Sequence, residues 1–348
     1  MLSVEFFAGK PGGYRVLIGD RTDGLIPSLL SHIHGCKAFI VTDSTVETLH
    51  FNKLREYLSG GGIETHSFIL PAGEQNKSID QLKMILEELL KHSFDRDDIL
   101  INLGGGVVSD IGGFAASVYM RGIRYVNIPT SLLSMVDSSV GGKTGIDLCG
   151  VKNAVGAFFS PTLVIESLEY LATLTESDIR CGVGEIIKYE MISGLDLLGG
   201  YIGSGMIGKE VIAKCCSIKK EYVEADLLDR GKRKILNIGH TFGHAFEAAS
   251  GFALSHGEAV ALGIIAETRF GESIGAVPAG LSDAVIKRVS DCGLGTDYSS
   301  CKEAASVFIE HDKKRNGDLI AIPFCSSFGS PFIEQVRLLD AVSFLKNG

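Results

Sequence analysis

One stretch limits the fold more than any other: Asn102 to Asp147, NLGGGVVSDIGGFAASVYMRGIRYVNIPTSLLSMVDSSVGGKTGID. The apolar run Ile99 to Leu103 reads as a buried strand. Gly104, Gly105 and Gly106 follow, and an apolar pattern from Val107 to Met120 then reads as a helix. Strand, glycine turn and helix start make a phosphate-binding arrangement. Glycine lets the backbone approach an anion, and the helix's first free N–H groups point at it. A second strand, Tyr125 to Ile128, leads into a polar loop with Thr130, Ser131, Asp137, Gly141, Gly142 and Lys143. The glycines alone suit a ligand-free βαβ turn equally well, because the spaced GxGxxG pattern is absent. Hydroxyls, glycines and a lysine in the next loop favour a nucleotide or phosphate.

The 348 residues suggest two domains. A net charge of −9 argues against general attraction to nucleic acid or an anionic membrane. No apolar run reaches membrane-spanning length, and the N-terminus lacks the basic and apolar regions of a secretory signal. Eight cysteines without a CxxC pair suit reduced thiols and a cytoplasmic location.

Strands are expected at 14–18, 38–41, 66–70 and 162–165, with helices at about 25–33, 46–58 and 79–92. This alternation predicts a mainly parallel, Rossmann-like α/β domain. Asp43 follows a strand, where it can accept from a ribose or cap the next helix. Glu74 and Lys77, after the turn at Pro71 and Gly73, can bind adenosine hydroxyls or lie in solvent. Lys152 comes nine residues after Lys143, and two lysines in loops around a glycine-rich floor form an anion clamp. The junction falls near Leu171 to Ile179, giving domains 1–174 and 175–348. Beyond it the stretches 181–191, 207–226, 239–250, 256–274 and 280–292 are helix-like and strand signals nearly vanish; 319–323 reads as a hairpin or extended piece.

The helical half carries a candidate metal cluster. His240 and His244 stand four apart and share a helical face, and His256 opens the next helix. Upstream, Glu185 and Lys188 lie three apart on one face. Glutamate and histidine ligands with an open position suit catalytic zinc, although spacing alone leaves open which histidines ligate. Lys219, Lys220, Arg233 and Lys313-Lys314-Arg315 suit an anionic substrate or a solvated helix surface.

GGGVVSDIGGFAASVYMRG, IPTSLLSMVDSSVGGKTGID, KNAVGAF, GEIIKY, NIGHTFGHAFE and SHGEAVALG together resemble the 3-dehydroquinate synthases, a family of sugar-phosphate cyclases. The resemblance runs from about Asp43 to Lys314. It implies an N-terminal NAD-binding α/β domain, a C-terminal helical domain that binds metal and substrate, and an active site in the cleft. It implies zinc, or cobalt, on Glu185, His240 and His256, with His244 left for substrate or proton handling. NAD contacts are implied at Asp43, Glu74, Lys77, Gly105, Gly106, Val107, Asp110, Thr130, Ser131, Asp137, Lys143, Lys152, Thr173 and Leu174. Substrate contacts are implied at Asp137, Lys143, Lys152, Asn153, Lys188, Lys219, Arg233, Asn237, His244, Lys313 and Lys314. Arg121 would reach a phosphate, across a homodimer interface. Lys152, Lys188, Asn237 and His244 carry the catalytic expectations. Ser109 departs from the usual glycine and is expected to put a Cβ beside the pyrophosphate.

The implied reaction takes 3-deoxy-D-arabino-heptulosonate 7-phosphate to 3-dehydroquinate and phosphate, in the shikimate pathway to aromatic amino acids. It runs by transient oxidation with NAD, phosphate β-elimination, re-reduction and intramolecular aldol closure. The alternatives are another sugar-phosphate cyclase, a metal-dependent NAD alcohol or glycerol dehydrogenase, and a non-catalytic nucleotide sensor.

Overall fold

The computed structural model describes residues 1–9, 12–251, 253–310, 315–316 and 318–347. They form two compact units, Met1–Thr175 with Gly208–Leu228, and Glu176–Ile207 with Asp229–Gly348.

The first unit is built on a seven-stranded sheet. Its strands are β1 (Leu2–Phe6), β2 (Tyr14–Gly19), β3 (Ala38–Asp43), β4 (Thr65–Leu70), β5 (Ile99–Gly104), β6 (Arg124–Pro129) and, after a hairpin of β7 (Lys143–Leu148) and β8 (Val151–Phe158), β9 (Leu163–Ser167). The order is β1-β2-β9-β6-β5-β3-β4. All pairings are parallel except β1 with β2. The central strands are apolar without alternation because both faces are covered, and every residue of β5 is buried. Asn102 is the polar exception. Its amide donates to Asn127 Oδ1 at 2.9 Å, and Asn127 donates to the Ser139 carbonyl at 2.8 Å. The pair, in register across β5 and β6, ties the sheet to the 134–139 segment. β4, β3, β5 and β6 are neighbours, and at their carboxyl ends the chain runs on to Glu74, Asp43, Gly105 and Thr130. Ligands of open parallel sheets bind at such ends.

Two expectations change here. Lys143 and Lys152 are not in loops; they sit on β7 and β8, which pair antiparallel around a two-residue turn, Cys149-Gly150. Both turn residues have positive φ, 52° and 76°, as a type I′ hairpin requires. The helix Lys209–Ala225, placed by the sequence in the second half, packs against β1, β2 and the 134–138 segment of the first unit.

Glu166, at the end of β9, is fully buried. Burial pushes its carboxyl well above the ordinary range, and the Ser139 hydroxyl only partly offsets this. The Cys216 thiol, a weak donor, approaches Oε1 at 3.9 Å. A carboxyl held neutral in the native state but free to ionise when unfolded costs stability above its unfolded pKa of 4.5. Glu166→Gln is therefore expected to stabilise the protein increasingly as pH rises from 5 to 8, by about 1.4 kcal/mol per unit at most. Thermal melts of variant and parent across that range check this; a pH-independent difference would contradict it.

The second unit is mainly helical: Glu176–Ser193, Gly199–Ser204, His240–Ala249, His256–Ser273, Leu281–Asp291, Ser299–Glu310 and Leu338–Asn347. A three-stranded antiparallel sheet joins them, β10 (Arg315–Asn316), β11 (Leu319–Cys325) and β12 (Pro331–Arg337); β11 covers the 319–323 run read as a hairpin or extended piece, and the sequence reading missed the other two strands. Among the described residues, no helix is long and apolar enough to cross a membrane.

Candidate active site

In the first unit, Gly105 caps and Gly106 opens the helix Gly106–Val118. A Cβ at Gly106 would come within 3.1 Å of Ser138 Oγ, so the turn leaves little room for a side chain. Gly105, Gly106, Val107 and Asp110 are partly exposed, whereas Val108 and Ser109 are buried. The first helical turn thus presents to solvent the positions the sequence singled out. Ser109 is buried, its hydroxyl donating to the Gly106 carbonyl at 3.0 Å. Thr130 is buried and its N–H donates to the Gly104 carbonyl at 3.0 Å, while half-buried Ser131 accepts from Ser134 N–H at 3.3 Å.

Lys77 is 3% exposed, with Nζ 2.6 Å from Asp110 Oδ2 and 2.5 Å from Asn153 Oδ1. Burial would lower its pKa, but Asp110 and Glu74 outweigh it and hold the ammonium above its ordinary range. Asn153 has a φ of 51°, and its N–H donates to Asp147 at 2.8 Å, which turns its amide toward Lys77. Lys152 Nζ lies 4.0 Å from Glu74 Oε1. Lys219, read as part of the helical half, belongs to this unit: its Nζ donates to both the side chain and the carbonyl of Asp137 at 2.9 Å. Asp43 fills the capping role, accepting from Thr45 and Val46 N–H. Lys143 is exposed at the start of β7. Thr173 bonds His50 at 3.0 Å, and Leu174 N–H donates to Leu171. Arg121 is exposed in a turn where Met120, Arg121 and Gly122 all have positive φ, a conformation costly for the first two.

In the second unit, three helices bring the metal candidates together. His256 starts its helix because Ser255 and Glu258 form a capping box, the S-x-x-E pattern. Helix Glu176–Ser193 approaches that start closely: a Cβ on Gly184 would overlap the Gly257 carbonyl, and one on Gly257 the Cys181 carbonyl. Glu185 and His256, the neighbours of those glycines, are thereby drawn together. Glu185 Oε1 lies 3.4 Å from His240 Nε2 and 3.3 Å from His256 Nε2, with Lys188 Nζ 2.5 Å from Oε2. Ligand atoms of His240, His244 and His256 lie within 4.8 Å of one another.

The protonation pattern fits a cation. His240 Nδ1 donates to the Ile238 carbonyl at 3.1 Å, and His256 Nδ1 faces Glu247 Oε2 at 3.5 Å. Both Nε2 atoms therefore turn toward one carboxylate oxygen. Burial holds the His240 pKa well below 6.5, which keeps a lone pair available. Burial opposes charge on His256 too, but its hydrogen bonds to the Glu185 and Glu247 carboxylates prevail and raise its pKa to about 9, so a proton balances the carboxylates when no metal does. Ligands about 2.1 Å from a tetrahedral zinc lie about 3.4 Å apart, which matches the 3.4 and 3.3 Å from Glu185 Oε1 to the two imidazoles. Arg233 is buried and Asn237 half-buried on the turn Lys232–Asn237, which packs against helix Glu176–Ser193 and leads into His240. Lys313 and Lys314 lie outside the described residues.

The sequence reading missed Glu247 and Glu267. Glu247, three residues after His244 and seven after His240, shares their face, so the signal was present. Glu267 accepts backbone N–H groups, which leave no sequence pattern.

Comparison with known proteins agrees with this reading. Residues 67–181 match the 3-dehydroquinate synthase N-terminal family and residues 182–315 the C-terminal family. The 3-dehydroquinate synthase of Streptococcus sanguinis (strain SK36) is 40% identical over 319 residues, covering 89% of this chain and 90% of that protein. That of Streptococcus gordonii (strain Challis) is 39% identical over 343 residues, covering 96% and 97%. Among solved structures, 2-epi-5-epi-valiolone synthase from Streptomyces hygroscopicus subsp. jinggangensis, with NAD+ and Zn2+ bound, superposes with a TM-score of 0.86 at 25% identity over 97% of each chain. The chain belongs to the 3-dehydroquinate synthase family of carbon–oxygen lyases.

Proposed function

We propose that the chain converts 3-deoxy-D-arabino-heptulosonate 7-phosphate to 3-dehydroquinate and inorganic phosphate, using NAD and a divalent metal, zinc or cobalt. The observation that carries this is the meeting of Glu185, His240 and His256 on one point, with the buried Lys188 beside them.

When bound, NAD takes up and returns a hydride at one substrate carbon, and the metal acts as a Lewis acid on adjacent oxygens. Everything else falls to side chains. Glu185, His240 and His256 hold the metal. His244 handles a proton with Asn237. Lys188 and Lys152 favour anions as they develop. Lys143, Asn153, Lys219, Arg233, Lys313 and Lys314 bind substrate with Asp137, and Arg121 reaches the phosphate from a partner subunit of a homodimer. The dinucleotide lies along Asp43, Glu74, Lys77, Gly105, Gly106, Val107, Asp110, Thr130 and Ser131. Asp137, Lys143, Lys152, Thr173 and Leu174 complete its contacts. The dinucleotide contacts thus belong to the first unit and the metal ligands to the second. The enzyme works in the cytoplasm. Carbocycle closure gains from holding the two ends of one chain together.

Incubation with the heptulosonate phosphate, Zn2+ and a trace of NAD tests this. The expected result is one phosphate per substrate consumed, a product with the mass of 3-dehydroquinate and no lasting NADH. Net NADH from glycerol would indicate a dehydrogenase, a different carbocycle another cyclase, and no turnover of any phosphorylated sugar a binding protein.

A further inference from the structure

The helices carrying His240 and His256 exchange carboxylates. Glu247, on helix His240–Ala249, faces Nδ1 of His256 at 3.5 Å, the first residue of the other helix. Glu267, on helix His256–Ser273, accepts from the N–H groups of Gly239 at 2.6 Å, Thr241 at 2.9 Å and Phe242 at 3.3 Å, which flank His240. Glu267 is 2% exposed and Glu247 6% exposed. Helix His240–Ala249 has no side-chain cap of its own; Gly239 stands at its N-cap with a φ of 80°. A buried carboxylate from the neighbouring helix supplies the missing acceptor, where the helix dipole favours negative charge.

We propose that Glu247 and Glu267 are positioning residues for the metal centre, a reciprocal brace in which each helix fixes the histidine at the other's start. This rests on the metal reading of Glu185, His240 and His256. Glu247 acts on ring orientation and tautomer: an acceptor at Nδ1 holds the proton there and turns Nε2 toward Glu185. Glu267 acts on the backbone: its three N–H bonds fix the turn that presents His240, whose own Nδ1 bonds the Ile238 carbonyl within that turn. Without the brace the same three ligands remain, but at the wrong angles.

The test is Zn2+ affinity of the full-length protein by competition with a chelating dye, with the visible spectrum of Co2+-loaded protein as a readout of geometry. Glu247→Gln keeps an acceptor but loses the charge, and is expected to weaken Zn2+ about 10–100-fold and alter the Co2+ spectrum. Glu267→Gln is expected to weaken Zn2+ and to lower the melting temperature of metal-free protein. A merely structural role would lower melting of metal-free and metal-loaded protein alike and leave affinity and spectrum untouched; that overturns the brace. If Glu247→Gln does not fold, Glu247→Asp, one methylene shorter with its charge kept, is read by the same two measurements and the same criteria. Should the unaltered protein bind neither Zn2+ nor Co2+, the metal reading fails and the brace with it, whereas equal binding by parent and variants removes only the brace.

Discussion

Glu185→Gln is expected to lower kcat/KM by about 1,000-fold, since losing a Lewis acid removes several kcal/mol of transition-state stabilisation, and each 1.4 kcal/mol is tenfold. Glu185 is fully buried, yet it stands against both imidazoles and against Lys188. A neutral amide keeps the shape and removes the charge that a divalent ion and a buried ammonium both need. Metal content after gel filtration should fall with activity. Stability should also fall, because Lys188, 1% exposed, loses the carboxylate at 2.5 Å; truncating one partner of a buried ion pair costs about 3–5 kcal/mol. Full metal content with full turnover would refute the ligand role.

Gly257→Ala is the second large effect, and it reaches the site without touching a ligand. The added methyl would overlap the Cys181 carbonyl on helix Glu176–Ser193. Both sides of that contact are backbone, so relief requires the helices to separate. Overpacking of this kind costs about 3 kcal/mol. Because Gly257 follows His256 and Gly184 precedes Glu185, separation moves those two side chains apart. The expected outcome is a lower melting temperature together with a loss of Zn2+ affinity that added metal only partly restores. Gly293→Ala, where a Cβ meets nothing within 4 Å, is strained by its φ of 76° alone and should lower melting without changing metal affinity. Equal effects of the two substitutions on affinity would contradict this account.

The contrast between those glycines marks what a sequence can carry. Periodicity placed two helices of the second unit to within a residue, 239–250 against the observed His240–Ala249 and 256–274 against His256–Ser273, but gave no helix for Gly199–Ser204, Ser299–Glu310 or Leu338–Asn347. Spacing was enough to put His240 and His244 on one helical face and His256 at the start of the next helix. Glu185 stood out with Lys188 on one helical face, but nothing local ties it to histidines more than fifty residues on, and only the resemblance assigned it as a ligand with His240 and His256. The hairpin of β7 and β8 escaped because its turn is Cys149-Gly150 rather than Asn-Gly or Asp-Gly, and because its glycines read as a phosphate loop. Gly145 and Gly156 instead face each other across the strands, where a Cβ on Gly156 would overlap the Thr144 carbonyl. For Lys209–Ala225 the pattern gave a helix but could not name its partner, since an amphipathic stripe specifies burial and not against what.

That helix has a consequence for anyone who would divide the protein. A gene cut after residue 175 looks like the natural way to isolate a dinucleotide-binding half. Such a fragment would lack the segment Gly208–Leu228, stripping β1 of its cover, Glu166 of the Cys216 thiol and Asp137 of the Lys219 ammonium. An autonomous half would have to be spliced rather than truncated, with 208–228 grafted back through a designed linker.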